Sequence, residues 1–281
     1  MTIVDAHHHL WDPDVGEYPW MTGDFAVLRR RYDFDDLEPH LVANDVTATI
    51  AVQVRADLDE TADLLELCSR TTAIVGVVGW VDLTSPRVGA QIDALRAGPG
   101  GTHLVGLRHA VADEPDPHWL LRTDVDAGMR ELVGRGLTFD LEITARELAA
   151  ATALVRRHPK VRFVVDHGAK PPVAKGWSHD WADGISALAR NRHVWCKLSG
   201  LATEAAWAAW TPADLQPYVD HLLGVFGVQR LMFGSDWPVC ELASTYGGVV
   251  AATGRCLAAL NDDERRDVFC RNALRFYRPP A

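Results

Sequence analysis

Eight short apolar, β-branched runs, each followed by a longer stretch with helical signals, constrain this chain most. They fall at 3–5, 47–54, 74–80, 104–108, 137–141, 161–165, 194–198 and 231–233. Runs such as TATIAVQV and VRFVV are apolar on successive residues, as in strands covered on both faces. Alternating strands and helices build either an open doubly wound sheet or a closed barrel. An open dinucleotide-binding sheet would want a G-x-G-x-x-G turn after an early strand, yet the first run leads into AHHHLWD, and no P-loop is present. Eight repeats over 281 residues match a (β/α)8 TIM barrel in count and length. The fold class predicted is therefore α/β, a single TIM-barrel domain over 1–281 with a long loop after the first strand. That loop, 10–36, is expected to be either a lid or a surface excursion with its tryptophans packed down.

Helix starts are marked by Ser85-Pro86 and Thr211-Pro212, each a cap residue before a first-turn proline. Thr144 and Glu147 form a T-x-x-E capping box. Asn261 precedes the final helical segment, whose Val268, Phe269, Leu274 and Phe276 approximate one face.

The charged residues, 28 basic against 38 acidic, give a net charge of −10, which argues against a nucleic-acid or membrane-surface partner. The five cysteines are widely spaced with no C-x-x-C pair, which suits reduced thiols rather than a disulfide framework. With no secretory signal or membrane span in the sequence, the expected compartment is the cytoplasm. A homo-oligomer is left open.

In such a barrel, polar residues at the C-terminal strand ends are the candidates for chemistry. Strand one ends in His7-His8-His9, and alternation puts His7 and His9 on one face with His8 pointing away. Such a pair can hold one metal ion or hydrogen-bond one substrate oxygen. Strand six ends in Asp166-His167-Gly168. Strand eight ends in FGSDWP, where Asp236 beside three histidines reads as a metal ligand or general base rather than a turn-forming Asp. Gln53 and Arg55 on strand two, Arg108 and His109 on strand four and Lys197 on strand seven supply cations and amides for substrate contact. Asp140 and Glu142 share a face of strand five and are expected to pair with such cations. Trp11 and Trp237, with Trp80, are candidate walls for an apolar ring face.

DAHHHLWD, GLRH, VVDHGAKPP, CKLSGL and RLMFGSDWPV, in this order, resemble the amidohydrolase superfamily. Within its amidohydrolase 2 type they are similar to sugar-acid lactonases such as L-fuconolactonase and L-rhamnonolactonase. The resemblance spans about Val4 to Tyr277. It implies a barrel that hydrolyses a lactone ring to the free aldonic acid in carbohydrate metabolism, with a small-molecule lactone as its partner. His7 and His9 match the family's H-x-H, His167 its strand-six histidine and Asp236 its strand-eight aspartate. Binuclear members carry a bridging Lys or Glu on strand four and a strand-five histidine. Arg108-His109 and the absence of a strand-five histidine depart from that pattern, so at most one divalent ion is expected, zinc by donor type, held by His7, His9 and Asp236. A metal-independent version stays open.

The chemistry expected is water attack with Asp236 as general base and His167, with His7 and His9 or their metal, stabilising the oxyanion. Gln53, Arg108, His109, Lys197, Trp11 and Trp237 are the expected substrate contacts. The alternatives are hydrolysis of a carboxylate-bearing lactone gripped by an Arg55–Arg108 fork, or decarboxylation by the same superfamily. A metal-dependent nuclease and a non-catalytic sugar-binding barrel rank below these.

Overall fold

A computed structural model describes residues 2–278. Eight strands form one parallel sheet in sequential order, β1 (Ile3–His8), β2 (Val46–Val52), β3 (Ile74–Gly79), β4 (Leu104–Ala110), β5 (Thr138–Glu142), β6 (Arg162–Val165), β7 (Val194–Leu198) and β8 (Leu231–Phe233). The helices are α1 (Phe34–Ala43), α2 (Leu58–Cys68), α3 (Val88–Ala97), α4 (Thr123–Arg135), α5 (Leu148–Arg157), α6 (His179–Ala189), α7 (Pro212–Phe226) and α8 (Tyr246–Cys256), with α9 (Asp262–Arg266) and α10 (Asn272–Tyr277) after the last strand. This is the (β/α)8 barrel expected. No described helix is long and apolar enough to cross a membrane.

The seam between β8 and β1 is closed by the segment that follows β8. The amide of Asp236 donates to the carbonyl of His7 at 2.8 Å, and that of His9 to the carbonyl of Trp237 at 2.7 Å. Backbone pairing that shuts the barrel thus also fixes the histidines against the aspartate. Gly234 is required at this seam, since a Cβ there would lie 2.7 Å from the Cβ of His7.

Val4, Ala6, Ile50, Val52, Val78, Val105, Val164 and Met232 fill the barrel interior, and Ala273, Phe276 and Tyr277 of α10 pack into the same cluster. A second, larger apolar cluster lies between the strands and the outer helices. A register shift between Asp5 and His8 adds a residue to β1 relative to β2. This bulge lets His7 follow Ala6 toward the interior, with His8 instead directed at Thr49 (Nε2 to Oγ1, 3.0 Å).

Several local expectations need adjusting. β1 runs three residues past its predicted end, because barrel closure pairs all three histidines' backbone. Arg108 and His109 lie within β4, which extends to Ala110 by pairing with β5. Ser85-Pro86 does not open a helix: α3 begins at Val88, and Ser85 Oγ accepts the amide of Arg87 in a preceding turn. Thr211, Thr144 and Asn261 do cap as expected. The loop after β1 is ordered by Trp11, which pairs with Tyr32 through both backbone bonds and donates its Nε1 to the carbonyls of Leu28 and Arg30. Its one regular element is a 3-10 turn, Gly23–Leu28.

Candidate active site

Four side chains from three strand ends converge at the barrel mouth. His7 Nε2 and His9 Nε2 are 3.1 Å apart, and Asp236 Oδ1 lies 3.7 Å from the first and 3.6 Å from the second. His167 Nε2 stands 3.8 Å from the same carboxylate oxygen. All four are buried. Both His167 (φ 53°) and Asp236 (φ 58°) hold left-handed backbone conformations, costly for non-glycine residues and typical of functional positions. Gly200 makes room for them, for a Cβ there would sit 2.6 Å from His167 Nδ1 and 3.1 Å from Asp236 Oδ2.

The donor set fits one divalent ion. Ligand atoms around a tetrahedral zinc lie roughly 3.3–3.5 Å apart, close to the His7–His9–Asp236 triangle. His9 Nδ1 donates to the carbonyl of Val52 at 2.8 Å, which turns the lone pair of Nε2 toward the site. His7 Nδ1 lies between Lys197 Nζ (3.0 Å) and Asp166 Oδ1 (3.4 Å). Only the tautomer with a proton on Nδ1, directed at Asp166, leaves its Nε2 free to ligate.

Burial keeps the histidines neutral. His9 is driven down to about 3 by burial, helped by Arg108, and His7 well below its ordinary value by burial and Lys197. Burial also lowers His167. Asp236 is pushed up by burial, against the pull of His167, Lys170 and Arg108.

Beneath the mouth runs a polar floor. Lys197 is fully buried, bonds Asp140 Oδ2 (2.6 Å) and His7 Nδ1, and is ion-paired with Asp166 Oδ1 at 3.0 Å. Tyr277 of α10 donates its hydroxyl to the same Asp140 oxygen at 2.6 Å. Burial lifts Asp140 to about 6, whereas Lys197 and His7 overcome burial at Asp166 and hold it well below the usual range.

Above the floor lies a cavity of about 350 Å³, within the range of small-molecule sites. His9, His167 and Asp236 form its base, and Trp11, Trp20 and Phe25 one apolar wall. The rest of the lining is largely polar, with Arg108, Glu142, Lys170 and Glu204. Glu142 is ion-paired with Lys170, and Lys170 and Arg108 outweigh burial to keep it ionised.

Of the substrate contacts expected from sequence, Arg108 and Trp11 line this cavity. Lys197 does not: it points inward one layer below, with no exposed surface. Trp237 is core, packed on Tyr32 and His40 with Nε1 bonded to Glu241. His109 stacks on Trp119 and is held between Trp80 and Glu114 outside the cavity. Gln53 is buried behind Arg108, exchanging hydrogen bonds with its backbone and guanidinium. Arg55 turns to Asp57 and Glu60, so no arginine fork forms. Asp140 pairs with Lys197 as expected, whereas Glu142 pairs with Lys170 rather than with one of the strand-end cations. Trp20, Phe25, Lys170 and Glu204 escaped the sequence reading. Lys170 sits in the quoted VVDHGAKPP, three residues beyond His167, and its proximity to the strand-six end was the available signal.

The amidohydrolase family model matches residues 4–278. A protein of Burkholderia ambifaria named L-fucono-1,5-lactonase is 37% identical, the alignment covering 98% of this chain and 95% of that protein. Its namesake in Burkholderia multivorans is 38% identical over 99% of this chain and 96% of its own length. A crystal structure described as an amidohydrolase from Burkholderia multivorans with bound zinc superposes with a TM-score of 0.94 at 38% identity, each chain fully covered.

Proposed function

The chain belongs to the amidohydrolase family, and on that footing we propose that it is a sugar-acid lactonase of the L-fuconolactone type. The observation that carries the reading is the meeting of Asp236 with three buried imidazoles at the base of a cavity lined by both aromatic and polar side chains. Relatives named L-fucono-1,5-lactonase support it.

Ring opening needs an attacking water, a polarised carbonyl and a proton for the leaving oxygen. Asp236, at the base of the cavity, takes a proton from water as its oxygen attacks the lactone carbonyl carbon. Arg108 and the neutral His167 face the oxygen on which negative charge develops. The ring C–O bond then breaks and Asp236 returns its proton to the leaving alkoxide. Trp11, Trp20 and Phe25 cover the apolar ring face and exclude water from that side. His7, His9 and Asp236 would hold a divalent ion, zinc by donor type, whose contribution when bound is Lewis-acid polarisation of the carbonyl oxygen.

The cavity walls favour an uncharged lactone over a carboxylate-bearing one. Asp113, Glu142, Glu204 and Asp236 face Arg108 and Lys170, and Lys170 is already engaged by Glu142. With Arg55 turned away, a substrate carboxylate would meet an excess of like charge. The test is a pH-indicator assay of neutral and carboxylated sugar lactones, with and without chelator. Turnover confined to neutral lactones is expected. Turnover of none, or release of carbon dioxide from an aromatic acid, would overturn the assignment.

A further inference from the structure

Three residues of the cavity lining each carry a buried polar atom with no hydrogen-bond partner among the described residues: Glu142 Oε2, Thr203 Oγ1 and Arg108 Nε. A buried polar group left unpaired is costly, more so when charged, so such atoms call for a ligand that completes them. Glu142 is the most demanding. Its side chain is 8% exposed, one oxygen is taken by Lys170, and the other is left without a donor. Lys170 and Arg108 hold the group ionised, so the free oxygen accepts and cannot donate.

We propose that Glu142 is a specificity-determining residue, whose unpartnered carboxylate oxygen accepts a hydrogen bond from one ring hydroxyl of the lactone. The inference deepens the lactonase reading and rests on it. Lys170 fixes the other carboxylate oxygen, so the free one is presented in a single orientation. Because the acceptor is charged and withdrawn from water, a lactone lacking that hydroxyl leaves it desolvated and unpaired. Sites built to bond a hydroxyl reject the deoxy analogue far more strongly than apolar pockets reject an extra methylene. Asp236 and the histidines are thereby left to the reacting ester, and discrimination is located at the end of strand five.

The test is a set of neutral sugar lactones, each compared with analogues deoxygenated at one ring position, measured as kcat/KM on wild type, Glu142→Gln and Glu142→Ala. For one hydroxyl, wild type is expected to prefer the parent lactone over its deoxy analogue by about 10- to 100-fold, the range of a charge-assisted hydrogen bond. In Glu142→Ala that preference collapses to near unity, with Glu142→Gln intermediate. Loss of activity by one common factor on parent and deoxy lactones alike marks a structural role and overturns the proposal, as does a preference unchanged in Glu142→Ala. Wild type inert toward every lactone would overturn the lactonase reading and this inference together, whereas active wild type without Glu142-dependent discrimination overturns this inference alone.

Discussion

Lys197 Nζ lies 3.0 Å from His7 Nδ1, and the contact orders the protons of the whole histidine pair. An ammonium can only donate, so Nδ1 accepts and the His7 proton sits on Nε2, directed at His9 Nε2 3.1 Å away. His9 accepts there because its own proton is on Nδ1, bonded to the carbonyl of Val52. The chain of donors runs one way from the polar floor to strand two. Metal ligation through His7 Nε2 requires the opposite tautomer, with Nδ1–H turned to Asp166.

The imidazole nitrogens report this directly. In metal-free protein, ¹⁵N spectra should show His7 protonated on Nε2 and His9 on Nδ1. Adding one equivalent of zinc should move the His7 proton to Nδ1 and leave His9 unchanged. A His7 spectrum indifferent to zinc would remove it from the ligand set.

Asp236→Asn keeps the shape of the side chain and deletes the base. Its kcat/KM on a lactone should fall by about 10²–10⁴-fold while the melting temperature stays near that of wild type. Because burial raises the Asp236 pKa, the acid limb of wild-type kcat/KM should lie above the ordinary carboxylate range, the base form being lost as pH falls through the raised value. A loss under tenfold in the variant would contradict the role.

Replacing Lys197 tests the floor rather than the substrate contact that the sequence suggests. Lys197→Met leaves Asp140 and Asp166 buried without their shared cation. Removing one partner of a buried ion pair costs about 3–5 kcal/mol, read here by urea denaturation. Residual activity should show a reduced kcat rather than a raised KM.

Glu60 of α2 supplies a pH-dependent term away from the mouth. One of its oxygens accepts the amides of Val54 and Arg55, yet burial raises its pKa to about 7. A carboxyl whose folded pKa exceeds its unfolded one contributes stability fully present below about 4.5 and lost as pH rises through about 7. Between pH 5 and 8 the stability of Glu60→Gln relative to wild type should therefore shift in the variant's favour by up to about 3 kcal/mol. A difference independent of pH would refute the assignment.

The barrel was legible because strands buried on both faces leave continuous apolar runs, and His7, His9, His167 and Asp236 because chemistry concentrates at strand ends. Depth along the barrel axis was not legible. Lys197 and Trp237 sit near strand ends as plainly as His167 does, but the stagger of neighbouring strands, visible only in the pairing of Lys197 with Met232, puts the lysine one layer down. The bulge in β1 was equally hidden, though it left the His7–His9 face as alternation alone suggested. Trp20 and Phe25 reach the cavity through an aperiodic loop whose path depends on the Trp11–Tyr32 pairing, a long-range contact with no local sequence signal. Glu142 and Lys170 were visible as residue types, but their ion pair joins two strand ends and emerges only with the register.

The hydroxyl of Tyr277 that completes the floor comes from α10, which follows every mouth residue in the sequence. During vectorial synthesis every mouth residue leaves the ribosome before it, so a nascent barrel carries histidines and aspartate while Asp140 still lacks one of its two partners. Competence for turnover would then arrive only with the docking of α10. A chain stalled or clipped before that helix would keep the reacting groups without the support that sets their protons.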